Sequence, residues 1–153
     1  RIILGDRDAM TLTSMNNLGL LLREEGDYEE ARPLLEEACQ ARRDTQGDDH
    51  PETLTSVNNL GALFKAMHLP EEAEPLYIEA LKSRRRVLGN SHPDTLTSIN
   101  NLASLYQASA RYQDAHPLLV EASREAKKVL GPDHPHTRIF RANLAALNKV
   151  LRK

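Results

Sequence analysis

Three tandem asparagine pairs are the residues of this chain best suited to a reusable polar surface. They are Asn16-Asn17, Asn58-Asn59 and Asn100-Asn101, each inside the phrase Thr-Leu-Thr-Ser-x-Asn-Asn-Leu. A carboxamide carries one acceptor and two N–H donors. It can therefore pair with the C=O and N–H of another main chain whatever side chains that chain bears. Asn is a weak helix former, so a mid-helix pair repeated three times needs a reason. Two reasons stay open at this level, contact with a ligand and bonds that bridge neighbouring helices of the protein itself.

Other reactive types are scattered. Of the six His, three (His50, His92 and His134) stand one per repeat just before a proline. Stacked helix pairs would hold them roughly 20 Å apart, from two interaxial distances of 8–10 Å, too far to share a metal. His134 and His136 with Asp133 make a poor zinc site without further ligands. Helix capping or loop packing is the expected role of these histidines. The single Cys39 lacks an activating base nearby in sequence, and an inert buried thiol is expected. Arg84-Arg85-Arg86 reads as a solvated helix end that compensates the dipole. No Gly-rich phosphate loop, HExxH or Ser/His/Asp arrangement is present. No catalytic residue, metal or cofactor is assigned, and an enzyme is not expected.

The elements that position the asparagines follow from self-comparison. The phrase begins at Thr11, Thr53 and Thr95, a period of 42, and a degenerate fourth copy keeps Thr137, Asn143 and Leu144. Gly5, Gly47, Gly89 and Gly131 share the spacing, as do His50-Pro51, His92-Pro93 and His134-Pro135. Each unit reads as two helices. The first runs from about Pro51 to Met67, with Leu54, Val57, Leu60, Gly61, Leu63 and Phe64 at three- and four-residue steps. Pro51 suits the first turn, where its missing N–H is no loss. The second runs from about Pro70 to Leu88, and Gly89 is expected to end it in a left-handed cap. Acids open the second helices (Glu29, Glu30, Glu71, Glu72) and bases close them, as the helix dipole favours. Pro33, Pro75 and Pro117 fall inside second helices, where a local bend is expected.

The boundaries follow: residues 1–5 as the remnant of a preceding helix, units at 6–47, 48–89 and 90–131, and a capping helix at 132–153, all one solenoid domain. The slots on this last helix that would face a second helix hold Arg141 and Asn148, a polar outer face of the kind solenoids need for solubility.

Composition agrees. The 153 residues carry 20 Lys+Arg against 22 Asp+Glu, a net charge of -2, which argues against a general nucleic-acid binder. An apolar fraction of 40% is too high for disorder. One thiol cannot form an internal disulfide. There is no run of about 18 apolar residues and no secretory signal, so no membrane role is expected and the cytoplasm is the expected compartment.

These residues resemble the tetratricopeptide repeat. Leu18-Gly19 with Leu22, Leu60-Gly61 with Phe64, and Leu102-Ala103 with Tyr106 fill its first block. Ala31 with Leu35, Ala73 with Tyr77, and Ala115 with Leu119 fill its second. Its usual period is 34 residues, and the longer unit here is similar to the repeats of kinesin light chains. The resemblance implies an all-α, right-handed solenoid of antiparallel helix pairs, with first helices lining the concave face. It implies a protein or peptide partner held there, asparagines at this slot gripping the ligand main chain. That role falls on Asn16, Asn58 and Asn100 first, then on Asn17, Asn59 and Asn101. Helical counting adds Thr55, Thr97 and Gln107, with Arg23 and Lys65 as a basic rim that favours an acidic peptide. The other expectation is a structural spacer or a weak end-to-end self-association, through an apolar edge at Ile2, Ile3 and Leu4.

Overall fold

A computed structural model describes residues 9–152; the proposed helix remnant at residues 1–5 and the Ile2-Ile3-Leu4 edge lie outside them. Seven helices and no strand occur among the described residues, making an all-α helical repeat solenoid. They are α1 (Ala9–Glu25), α2 (Tyr28–Gln46), α3 (Pro51–Ala66), α4 (Pro70–Leu88), α5 (Pro93–Ala108), α6 (Tyr112–Leu130) and α7 (Pro135–Leu151). The chain divides into two compact units within α4, one ending at Ala80 and the other starting at Leu81.

In the first unit α1 packs on α2, and α3 packs on both. Its core is mainly aliphatic with two aromatic rings: Leu12, Leu35, Leu54, Val57, Leu63, Phe64 and Tyr77 are all buried. Small residues set the spacing of the helices. A Cβ added to Gly19 would lie 2.7 Å from Leu35 Cγ, and one added to Gly61 3.0 Å from Tyr77 Cε1. The tetratricopeptide-like small slot is thus where a first helix touches its own second helix. In the second unit α5 packs on α6 and α6 on α7, around Leu96, Ile99, Leu119, Ala122, Phe140 and Leu147. Leu60 and Leu102 are buried as expected, whereas Leu18 at the same register is 48% exposed.

First helices begin on a repeated cap. His50, His92 and His134 are the N-caps of α3, α5 and α7, each accepting the backbone N–H two residues on at its Nδ1. A neutral imidazole supplies this acceptor, and proline occupies the next position, where an N–H is dispensable. The turns from first to second helices are also repeated. Asp27, Leu69 and Arg111 N–H bond to the Leu22, Phe64 and Tyr106 carbonyls at 2.8–2.9 Å. The residues before them, Gly26, His68 and Ala110, have φ of 90°, 59° and 56°. These are Schellman closures, in which a positive-φ residue lets the last carbonyls find donors.

Second helices end differently from expectation. Gly47 has φ 88° and ψ 165°, and Gly131 φ 88° and ψ 164°. That is not the left-handed helical cap but the extended positive-φ region that only glycine enters without strain. The helices continue through Pro33, Pro75 and Pro117. Each proline is exposed, and so are Glu29, Glu71 and Gln113 four residues earlier, so the lost backbone bond falls on the solvent-facing side of the helix.

Candidate functional site

The asparagine pairs lie on first helices, and stacking staggers them by one residue. In the first unit Asn59 Nδ2 donates to Asn16 Oδ1 at 3.0 Å, tying α3 to α1. In the second unit Asn143 Nδ2 donates to Asn100 Oδ1 at 2.9 Å, tying α7 to α5. The bridging use of these amides, left open by the sequence, is therefore realised in both units. Asn16 and Asn58 are each only 6% exposed, and Asn58 Nδ2 also donates to the Leu54 carbonyl at 3.2 Å. Burial removes most of their surface from any ligand. Asn17 is exposed, while Asn59, Asn100 and Asn101 are half-buried.

The remaining residues frame these amides. Thr55 is exposed and Thr97 half-buried, and both hydroxyls donate to the carbonyl of the helix-opening proline, Pro51 or Pro93. Arg23, Lys65 and Gln107 are half-buried. Arg23 stands 3.7 Å from Glu24, which offsets part of its charge. Burial pushes the Lys65 ammonium below its ordinary pKa. In the second unit a cavity of about 130 Å³ opens between α5 and α7, lined by Thr97, Asn100, His136, Ile139 and Phe140. Ile139 and Phe140 stand where the earlier copies have Thr and Ser, so this opening pairs an amide with apolar walls.

One supporting residue departs from the sequence expectation. Arg84 is not a solvated helix end: it is 5% exposed, and its Nη1 donates to Ser98 Oγ at 2.9 Å and to the Asp94 carbonyl at 3.1 Å. Arg42 does the same one repeat earlier, to Ser56 Oγ at 2.8 Å and the Glu52 carbonyl at 3.2 Å, and reaches Thr13 Oγ1 at 3.0 Å. A second helix thus latches the next first helix, the one that bears the asparagines. Burial lowers the Arg84 pKa, and the nearby Asp94 charge opposes that shift. Arg85 pairs with Glu121 at 2.7 Å and only Arg86 is exposed, so the three arginines have three different fates. The signal was the common spacing of Arg42 to Ser56 and Arg84 to Ser98, lost at Ala126 and Phe140. Cys39 is buried, and burial raises its thiol pKa despite the neighbouring Arg43. No helix among the described residues is long and apolar enough to cross a membrane.

Helix pairs repeated at fixed register, joined by identical closures, define a helical-hairpin repeat protein. The family model for the tetratricopeptide repeat matches residues 8–77 and 58–128, and the chain belongs to that family. Among solved structures it is similar to a Podosopora anserina protein described as a kinesin light chain with nearly identical TPR-like repeats. The identity is 29% and the TM-score 0.83, over 89% of this chain and 64% of that one. A single-substitution variant of the same fungal protein matches at 26% identity and TM-score 0.84, covering 94% of this chain and 67% of the other. BtubC (BKLC) from P. vanneervenii shares the fold at 23% identity and TM-score 0.84, over 97% of this chain and 59% of that one. The chain therefore spans about 64% and 59% of two of these structures. No curated protein matches it. The repeats are kinesin-light-chain-like, and this fold is a protein–protein interaction scaffold, generally without catalysis.

Proposed function

We propose that the asparagine-bearing face of the first helices binds an extended peptide segment of a partner protein. Asn100 carries the reading. Its oxygen is taken by Asn143, which leaves its N–H donors, and the side chain lines an open cavity with apolar walls. A main-chain carbonyl would meet the amide while an adjacent side chain enters beside Ile139 and Phe140. In the first unit the acceptor in the place of Asn100 is the buried Asn16, so the half-buried donor Asn59 offers the amide instead, with Asn17 and Thr55 exposed. The buried Asn16 and Asn58 act chiefly as positioning groups, with Asn101 and Gln107 at the margins. Arg23 and Lys65 give the first unit a basic rim, which favours acidic residues in the peptide.

The test is a peptide-library selection on this chain, followed by affinity measurements on variants. Thr97→Arg fills the opening from an accessible position, and Asn100→Ala removes the donors. Each is expected to weaken the selected peptide about tenfold, roughly one charge-assisted or well-placed hydrogen bond. Lys65→Glu should weaken acidic peptides and spare neutral ones. Undiminished affinity in both Thr97→Arg and Asn100→Ala would place the peptide elsewhere.

A further inference from the structure

The turns that lead from a second helix into the next first helix differ at one position. Asp48, Asn90 and Pro132 share a register there. In the first unit Asp48 Oδ1 accepts from Arg43 Nη1 at 2.8 Å, and the same guanidinium pairs with Glu79 at 2.7 Å. One repeat later Arg85 and Glu121 reproduce the second half of this arrangement, Arg85 Nη2 donating to both carboxylate oxygens at 2.7 and 2.8 Å. The first half is missing. The Asn90 side chain forms no hydrogen bond among the described residues, and Arg85 Nε is buried without a partner. A cation therefore stands where the earlier repeat sets two carboxylates, and it has one.

Asn90 is placed to generate the missing group itself. Every other asparagine of the chain lies on a first helix, where the N–H of the next residue is engaged in the helix. Asn90 is exposed in the turn after Gly89, and the small Ser91 follows it. The Ser91 N–H donates no hydrogen bond among the described residues, while its hydroxyl donates to Glu125 Oε2 at 2.7 Å. We propose that Asn90 is a site of spontaneous deamidation and that the aspartate it yields pairs with Arg85, as Asp48 pairs with Arg43. The Ser91 main-chain nitrogen attacks Asn90 Cγ and forms a new N–Cγ bond. The side-chain nitrogen leaves as ammonia, taking the Ser91 proton. Water then opens the cyclic imide: cleavage at Cγ leaves aspartate, and cleavage at the main-chain carbonyl leaves isoaspartate. One amide and one water give one carboxylic acid and one ammonia, with no oxidant or reductant. The new carboxylate adds a negative charge beside Arg85, where a charge-assisted bond favours it. The modified turn then copies the first one and braces the start of α5, the helix that bears Asn100.

The full chain is kept folded in mildly alkaline heavy-oxygen water and mapped by mass spectrometry of its peptides. Opening of the imide incorporates one heavy oxygen, so label should accumulate at Asn90 at least tenfold faster than at any other asparagine. Ser91→Val crowds the attacking nitrogen with a β-branched side chain and should slow the labelling about tenfold. Ser91→Thr, which keeps the hydroxyl for Glu125, should slow it severalfold and serves if the valine variant does not fold. The product is examined through Asn90→Asp. By calorimetry at low salt this variant should melt roughly 1–3 °C above the parent, as a well-placed surface pair would give in a chain of this size. The same change made in an Arg85→Gln background should bring no gain. Labelling at Asn90 no faster than at the helical asparagines overturns the proposal, as does a rate indifferent to both Ser91 changes. A gain from Asn90→Asp that is absent, or that survives Arg85→Gln, overturns it equally.

Discussion

Single side chains decide how one repeat grips the next, and the buried arginines show it most clearly. Arg84 surrenders hydration to bond Ser98 Oγ and the Asp94 carbonyl, and it does so beneath the helix that carries Asn100. The third copy dispenses with the latch: Ala126 and Phe140 occupy the same two slots, and both are buried. The chain thus contains a polar and an apolar solution to one interface. Arg84→Ala removes the bonds to Ser98 Oγ and the Asp94 carbonyl and opens a void, for an expected loss of about 1–3 kcal/mol in urea unfolding. The double change Arg84→Ala with Ser98→Phe copies the third interface and should recover more than half of that loss. A double variant no more stable than the single one would mean the two solutions are not interchangeable. The same scale shows why the site was only partly readable. Helical counting groups the asparagines on one register, because a 42-residue period puts like residues on like faces. It did not find that the first amide of one pair meets the second amide of the next, since that depends on a one-residue stagger set by packing.

At the level of the element, the strongest signals were the starts and stops. Proline after histidine marks α3, α5 and α7 to the residue, and the imidazole acceptor explains why histidine recurs there. The glycine at the end of the second helices was equally plain, though its conformation is the extended positive-φ one. The turn between first and second helices was invisible, because its key position holds Gly26, His68 and Ala110, three types with nothing in common. Only the backbone unites them. That mismatch has a cost. A residue with a Cβ loses about 1–2 kcal/mol in left-handed φ, of which glycine recovers all but its own entropic penalty. Ala110→Gly should therefore stabilise the protein by about 0.5–1 kcal/mol, a rise in Tm of a few degrees by calorimetry. Gly26→Ala should do the reverse. Equal melting temperatures for Ala110→Gly and the parent would show that the Schellman closure carries no strain.

For the whole molecule, repetition determines how stability is distributed. Long-range packing in a helical array links neighbours only, so free energy is close to a sum over units and their interfaces. Leu35 and Leu119 occupy the same slot two repeats apart, each almost completely buried, the first in the unit that ends at Ala80 and the second in the unit that begins at Leu81. Truncating either to alanine removes the same buried atoms and is expected to cost about 2–5 kcal/mol locally. In a single cooperative domain the cost would be felt by every amide alike. In a nearest-neighbour array it stays near its source. Leu119→Ala should thus accelerate native-state hydrogen exchange in α5, α6 and α7 by one to several powers of ten, while α1 and α2 keep exchange rates close to those of the parent. Leu35→Ala should give the mirror pattern. Uniform acceleration across all seven helices in both variants would replace the summed-repeat account with a globally cooperative one.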